Sequence, residues 1–197
     1  MNYLAHLFLS NESSEAMLGA MLGDFVKGAD KNNYPPNVRR SIELHRQIDS
    51  FTDAHEIVLA AKRQFAPERR RFAGIALDIF YDHCLAKNWS QFSEVPLRTF
   101  TQNVYETLKI QHEFLPEKMQ QMAPVMIAQD WLASYEKLEW IELTLQRMSR
   151  RLTRGEPLAH SIIDLRTNYQ EFEQSFFCLF PEMIARFQRA GNLPAND

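Results

Sequence analysis

The most informative hydrophobic pattern in the chain covers residues 72–85, which are apolar on nearly every side when wound as a helix. Such a pattern is typical of a helix enclosed by other helices. We predict this central helix from about residue 68 to residue 86, opened by Pro67. Three polar residues interrupt its apolar surface: Asp78, Asp82 and His83.

A second pattern, at residues 37–52, is amphipathic rather than apolar all round. Pro35 and Pro36 supply a preset start for this helix. Its spacing places His45 and Asp49 on one face, beside the apolar row Leu44, Ile48 and Phe51. We therefore expect this face to lie against the core.

Capping residues and breaks predict the remaining elements. Ser13 or Ser14 caps a helix that runs towards residues 23–24, and Asp53 with Glu56 caps one that runs to Gln64. Further helices are expected at residues 94–111, 123–135, 136–152 and 158–189, the last broken near Pro181.

Length and composition fit this all-α prediction. The chain has 197 residues, close to one domain at about 150 residues per domain. Six glycines leave little material for the frequent tight turns of a sheet protein. We predict a single compact multi-helix domain over residues 1–197.

Charge excludes two classes of partner. The chain carries 22 Lys plus Arg against 25 Asp plus Glu, a net charge of -3, so no global field attracts nucleic acid or an anionic membrane. The apolar run at residues 1–9 is too short to span a bilayer and lacks the basic start of a secretory signal. We expect a soluble cytoplasmic protein with Cys84 and Cys178 as reduced core thiols.

The carboxylates of the central helix point to chemistry. Burying an unpaired carboxylate costs several kcal/mol, so Asp78 and Asp82 imply a metal ion, a basic partner or a wet cavity. Pairing with a buried arginine such as Arg71 is the structural alternative. A His and an Asp four residues apart, as at His45 and Asp49, offer nitrogen and oxygen ligands to one divalent ion.

Other candidates carry weaker signals. His6 lies in the apolar N-terminal run, where a packing role is at least as plausible as metal ligation. Asp24 and Lys27 stand between two glycines, an arrangement that a helix end followed by a turn also explains. Arginines cluster on the predicted helices, where they form either solvated faces or a basic site mouth: Arg39, Arg40, Arg46, Arg69, Arg70 and Arg71.

Four blocks of sequence together resemble the acyl carrier protein phosphodiesterase family: residues 2–7, 23–28, 44–55 and 77–83 with Trp89. The resemblance implies hydrolysis of the phosphodiester that joins phosphopantetheine to a serine of holo acyl carrier protein. It also implies a divalent cofactor, with Mn²⁺ expected and Mg²⁺ or another divalent ion as alternatives. An all-helical fold like that of HD phosphohydrolases is implied too, although here the His-Asp dipeptide of those enzymes appears reversed, as Asp82-His83.

The resemblance adds Asp24 to the residues selected from the pattern alone. A water activated by the metal would attack phosphorus, with Lys27 and Arg46 stabilising the extra negative charge. The expected metal ligands are Asp24, His45, Asp49, Asp78, Asp82 and His83. The expected catalytic residues are Asp24, Lys27, Arg46 and Asp82. The expected contacts to the acidic carrier are Arg39, Arg40, Arg69 and Arg70.

Two other functions stay open at this point. An HD-type phosphohydrolase acting on a nucleotide or alarmone would use the same ligands. A non-catalytic helical module would use the buried aspartates only to pair with arginines. The sequence leaves the oligomeric state open.

Overall fold

The computed structural model describes residues 1–10 and 12–188, and every regular element in these ranges is helical. The all-α prediction is therefore confirmed for the described residues. The α-helices are α1 (Tyr3–Leu9), α2 (Ser14–Leu22), α3 (Pro36–Ala54), α4 (Glu56–Arg63), α5 (Ala73–Lys87), α6 (Leu97–Ile110), α7 (Glu117–Ala128), α8 (Trp131–Ser134), α9 (Leu138–Ser149), α10 (Glu156–Thr167) and α11 (Tyr169–Met183). A π-helical turn, Ile184–Gln188, follows α11.

Helix α5 is the centre of the fold. Its side chains are buried over most of its length, and it packs against α1, α9, α10 and α11. The prediction of an enclosed helix is confirmed. Asp82 and His83 are buried within it, whereas Asp78 is half-buried.

Helices α2 and α3 approach each other closely because two glycines face the contact. A Cβ atom at Gly19 would lie 2.4 Å from the Val38 carbonyl oxygen, and one at Gly23 would lie 2.2 Å from Cγ of His45. Side chains of α3 also hydrogen-bond to carbonyl groups of α2, since Ser41 donates to Ala16 at 2.6 Å. This contact fixes α3 against α2 with no side chain between them at the glycines.

Helix α1 is absent from the sequence-based predictions. Its N-cap residue, Asn2, makes no capping hydrogen bond with its side chain. Instead the carboxylate of Asp82 accepts hydrogen bonds from the backbone N–H groups of Leu4 at 2.7 Å and Ala5 at 3.1 Å. Helix α5 thus supplies the cap that the N-terminal segment itself lacks.

Several predicted helix starts are wrong. Asp53 lies inside α3, and the N-cap of α4 is His55, whose Nδ1 accepts from the Ile57 N–H group at 3.3 Å. Pro67 does not open α5, because a turn at residues 67–69 and a short 3-10 helix, Arg70–Phe72, come before α5 begins at Ala73. The predicted start at residue 94 precedes Pro96, which disfavours helical geometry in the residue before it, and α6 begins at Leu97.

In the second half of the chain, the breaks between helices also lie at residues other than those predicted. The helix expected at 123–135 is two helices, because Asp130 takes a left-handed conformation with φ 47° between α7 and α8. The helix expected from residue 158 breaks at Asn168, while Pro181 lies inside α11. The expected end at Arg189 lies outside the described residues.

Two further observations concern the burial of the cysteines and the search for membrane-spanning helices. Cys84 is buried as expected, but Cys178 is exposed, so its assignment to the core is wrong. None of the helices within residues 1–10 and 12–188 has both the length and the apolar character needed to cross a bilayer.

Candidate metal centre

Two histidines and an aspartate meet at the junction of α1 and α3. His6, His45 and Asp49 each offer one ligand atom, and these atoms lie within 4.8 Å of one another. His6 Nε2 lies 3.0 Å from Asp49 Oδ1, and His45 Nε2 lies 3.4 Å from Asp49 Oδ2. One carboxylate thus faces both imidazoles.

The two imidazole rings are held in parallel. Their centroids are 3.5 Å apart with an interplanar angle of 7°. His45 and Asp49 share a face of α3 because they are four residues apart, and α1 brings His6 onto the same face from the far side. The predicted pairing of His45 with Asp49 is therefore present in the structure.

His45 is oriented by the backbone of α2. Its Nδ1 donates to the Ala20 carbonyl at 2.8 Å, which directs Nε2 towards the carboxylates. Burial lowers the pKa of His45, but hydrogen bonds with Asp24 and Asp49 outweigh burial and raise it to about 9. A hydrogen-bonded second nitrogen is the usual support of an imidazole that binds a metal.

Asp24 adds a second carboxylate next to His45. Its Oδ1 lies 3.5 Å from His45 Nε2, and its side chain is 55% exposed. The hydrogen bond with His45 lowers the pKa of Asp24, so this carboxylate is ionised at neutral pH. Asp24 follows directly on Gly23, whose missing side chain lets the His45 ring lie against the end of α2.

His6, like His45, is a buried member of the cluster. Burial lowers its pKa to about 4, which leaves the ring neutral at neutral pH. Its Nε2 also lies 3.2 Å from the Met1 carbonyl oxygen. Its buried Nδ1 has no hydrogen-bond partner among the described residues. An unpartnered buried nitrogen is costly unless a ligand uses the ring.

The donor set fits a divalent ion. Imidazole nitrogen and carboxylate oxygen suit Mn²⁺, Zn²⁺ or Fe²⁺, and the Nε2 atoms of His6 and His45 both face Asp49. Burial raises the pKa of Asp49, but hydrogen bonds with His45 and His6 reverse the effect, so the pKa is lowered. An ionised carboxylate at the centre of the cluster is what a cation requires.

Asp78 borders this cluster without joining it directly. The amino nitrogen of Met1 lies 2.8 Å from Asp78 Oδ1 and 3.7 Å from Asp49 Oδ1. Burial raises the pKa of Asp78, although the Met1 amino group opposes the rise. Four of the sequence-selected residues thus lie together: Asp24, His45, Asp49 and Asp78.

Asp82 and His83 have other partners. Asp82 caps α1, and burial raises its pKa to about 7 despite the hydrogen bonds from the backbone of Leu4 and Ala5. His83 uses both ring nitrogens: Nδ1 lies 2.7 Å from the Tyr135 carbonyl oxygen and Nε2 2.8 Å from the Tyr169 hydroxyl. Neither residue contributes an atom to the cluster of His6, His45 and Asp49.

The two basic side chains that were expected to stabilise the transition state differ in their surroundings. Lys27 is exposed on the segment that follows Asp24. Arg46 donates to the Val26 carbonyl at 2.7 Å and so ties that segment to α3. Arg46 therefore has a positioning contact close to the cluster.

The four arginines expected to contact a carrier also differ. Arg39 and Arg40 are half-buried near the start of α3. Arg69 binds the buried Asp164 through Nε at 2.5 Å and a second nitrogen at 3.1 Å, so its charge is neutralised. Arg70 is exposed and donates to two backbone carbonyl groups.

Sequence reasoning left His6 out of its ligand set. The residue has no acidic companion at helical spacing, because its partner Asp49 belongs to another helix. The signal available was the histidine itself, placed inside an apolar run where an unsatisfied imidazole is unfavourable.

Comparison with known proteins gives one consistent family. The family model described as acyl carrier protein phosphodiesterase matches residues 1–183. A protein of that name from Photorhabdus laumondii is 34% identical over 94% of this chain and 94% of its own length. Those from Pectobacterium atrosepticum and Escherichia coli O6:H1 are each 34% identical, over 93% and 96% of this chain and 96% and 98% of their own lengths. No solved structure matches the chain significantly, so the expected likeness to HD phosphohydrolases stays a prediction.

Proposed function

This chain belongs to the acyl carrier protein phosphodiesterase family, and we propose that it hydrolyses the phosphodiester between phosphopantetheine and the carrier serine. The products are apo acyl carrier protein and free phosphopantetheine. The observation that carries the chemical part of the proposal is the cluster of His6, His45 and Asp49 beside the exposed carboxylate of Asp24.

We propose that His6, His45 and Asp49 hold a divalent ion, with Mn²⁺ as the expected one. When bound, such an ion supplies Lewis-acid polarisation of the phosphate and lowers the pKa of a nearby water. The Ala20 carbonyl keeps Nε2 of His45 directed at the site. Asp78 pairs with the Met1 ammonium, which lies 3.7 Å from Asp49, and so reduces the repulsion that this ammonium exerts on a bound cation.

Asp24 is the proposed proton acceptor. Its side chain is half exposed and its Oδ1 faces His45, which leaves the second carboxylate oxygen open to a water on the solvent side. The lowered pKa keeps that oxygen unprotonated before the reaction. In this role Asp24 orients the attacking water and takes its proton.

Lys27 and Arg46 have separate proposed roles. Lys27, exposed three residues after Asp24, contacts a phosphate oxygen and stabilises the added negative charge. Arg46 acts as a positioning residue, because its hydrogen bond to the Val26 carbonyl holds the segment that carries both Asp24 and Lys27. Alanine at Lys27 is expected to lower kcat, and an unchanged kcat would remove Lys27 from this role.

Carrier docking is proposed to use Arg39, Arg40 and Arg70, with Arg69 serving structure through its ion pair with Asp164. Charge-based docking predicts that KM for the carrier rises with ionic strength while kcat changes little. A KM that is the same at low and high salt would contradict it.

The test of the reaction is intact-mass spectrometry of holo carrier incubated with the purified protein and Mn²⁺, beside a chelator control. We expect loss of the whole phosphopantetheine group only with metal. His45→Ala should abolish the loss, while His160→Ala, at an exposed histidine of α10, should not. An unchanged carrier with folded, metal-loaded protein would refute the proposal and direct the search to nucleotide substrates.

A further inference from the structure

A cavity of about 720 Å³ opens directly beside the candidate metal centre. Asp24 and Tyr3 line it, and both belong to the immediate surroundings of the cluster: Asp24 contacts His45, and Tyr3 begins the helix that carries His6. The remaining walls come from α7, α8 and α9 in the second half of the chain. Among the described lining residues, Asp24 is the one that the sequence analysis expected at the site.

Much of the lining of this cavity is apolar. It includes Met122 and Val125 from α7, Met148 from α9, and the aromatic residues Trp131 and Trp140. Val125 is 44% exposed although it is a large apolar residue, so it offers a surface that no other part of the described chain covers. Exposed apolar surface in a cavity next to polar groups is typical of a small-ligand site.

Three cations line the same cavity. Lys118, Arg147 and Arg151 are present, whereas Asp24 is the one carboxylate among its described lining residues. Arg147 is held in place, because the Oε1 atom of Gln129 accepts hydrogen bonds from Arg147 at 3.1 Å and from Trp131 at 3.0 Å. The cavity therefore joins a fixed positive charge to an apolar wall.

We propose that this cavity binds the phosphopantetheine arm of the substrate, with its phosphate at the Asp24 end and its chain against Met122, Val125 and Met148. This inference rests on the proposed function. The arm has an anionic phosphate at one end, followed by a dimethyl-substituted carbon and two amides, and the cavity offers cationic, apolar and polar side chains that suit these groups. Asn2, Gln121 and Thr144 supply the polar lining.

Two other large cavities do not offer the same combination. One of about 750 Å³ lies near Phe8 and Trp89, and another of about 800 Å³ lies near Tyr34 and Phe114. Neither is lined by Asp24, whereas the cavity of about 720 Å³ is. An arm bound in either would not place its phosphate beside the cluster.

The test fills the cavity without touching the cluster. Val125→Phe adds bulk to the apolar wall, and Ile163→Phe is the matched control, since Ile163 is a 52% exposed β-branched residue of α10. Gln121→Trp, at an exposed lining position, is a second variant that narrows the cavity should the first fail to fold. Each full-length protein, loaded with Mn²⁺, is titrated with free 4′-phosphopantetheine by calorimetry, and KM and kcat are measured with holo carrier.

We expect Val125→Phe and Gln121→Trp each to raise Kd for phosphopantetheine and KM for the carrier at least tenfold, with Ile163→Phe within twofold of the parent protein. Unchanged Kd and KM in the folded filling variants would overturn the cavity assignment and leave the proposed function standing. Binding that is lost on filling, in a protein that never cleaves holo carrier, would support the cavity and refute the proposed function. Failure of the parent protein to bind phosphopantetheine would overturn the cavity assignment.

Discussion

Replacing Gly23 by alanine tests the geometry of the candidate metal centre without removing any ligand. A Cβ atom at this position would lie 2.2 Å from Cγ of His45, 2.4 Å from its Cδ2 and 2.5 Å from its Nδ1. Gly23 has right-handed helical backbone angles, so alanine is compatible with the local backbone. The perturbation therefore acts on the His45 ring alone.

The displacement can be sized from the contact distance. Non-bonded carbon atoms pack at roughly 3.5–4.0 Å, so the ring must retreat by more than about 1 Å. That movement breaks the 2.8 Å hydrogen bond from Nδ1 to the Ala20 carbonyl and misplaces Nε2 relative to Asp49. Loss of such an orienting contact costs about 10–100-fold in metal affinity. Overpacking of this kind also lowers the free energy of unfolding by about 1–3 kcal/mol.

The assay is Mn²⁺ binding, followed by the electron paramagnetic resonance signal of the free ion, together with urea unfolding of the metal-free protein. Gly74→Ala is the matched control. A Cβ atom there would meet only the flexible end of Lys62, at 3.4 Å, and alanine should leave metal binding unchanged while stabilising α5 by at most about 1 kcal/mol. Parental Mn²⁺ affinity in Gly23→Ala would refute the assignment of His45 as a ligand fixed by α2.

Three further predictions concern Asp82, His45 and Arg69. Asp82→Ala should lower the free energy of unfolding by about 1–3 kcal/mol, because two buried N–H groups of α1 lose their acceptor; an unchanged urea midpoint would contradict the capping role. Mn²⁺ affinity should rise about tenfold between pH 7 and pH 8, because a proton held with a pKa of about 9 must leave His45 before the ion binds; calorimetric Kd values independent of pH would count against it. Arg69→Met should lower the unfolding free energy by about 1–3 kcal/mol with KM for the carrier unchanged, since it leaves the buried Asp164 without its cation. Arg63→Met, at an exposed arginine, is the control for Arg69→Met. A raised KM in Arg69→Met, with the stability of the parent protein, would instead support carrier docking by Arg69.

The parts of the site that could be predicted are those encoded within one helix. His45 and Asp49 are four residues apart on an amphipathic helix, so their proximity follows from helical geometry. The burial of Asp82 and His83 follows equally from the apolar surroundings of α5. The hydrogen-bond partners of Asp82 and His83 could not be predicted from the sequence. The N–H groups of α1 and the Tyr135 carbonyl lie beside these side chains only because of tertiary packing.

Helix class was predictable, but helix ends were not. The composition excludes a sheet protein, while the ends depend on competing local signals. Asp53 has the character of an N-cap, yet α3 continues through it and His55 takes that role. Pro181 predicts a break, yet α11 runs through it and the chain breaks at Asn168 instead. In both places packing against neighbouring helices outweighs the local preference.

The way α1 is attached has a consequence for the order in which the protein folds. Hydrogen bonds between α3 and α2 join residues 25 positions apart, whereas those that attach α1 to Asp82 join residues 77 and 78 positions apart. The entropic cost of closing a loop grows with its length, and local contacts form sooner. We therefore expect Asp24, His45 and Asp49 to come together before Asp82 caps α1, the helix that carries His6. A chain still emerging from the ribosome would carry Asp24, His45 and Asp49 before Asp82, the residue that caps the helix of His6, has been synthesised.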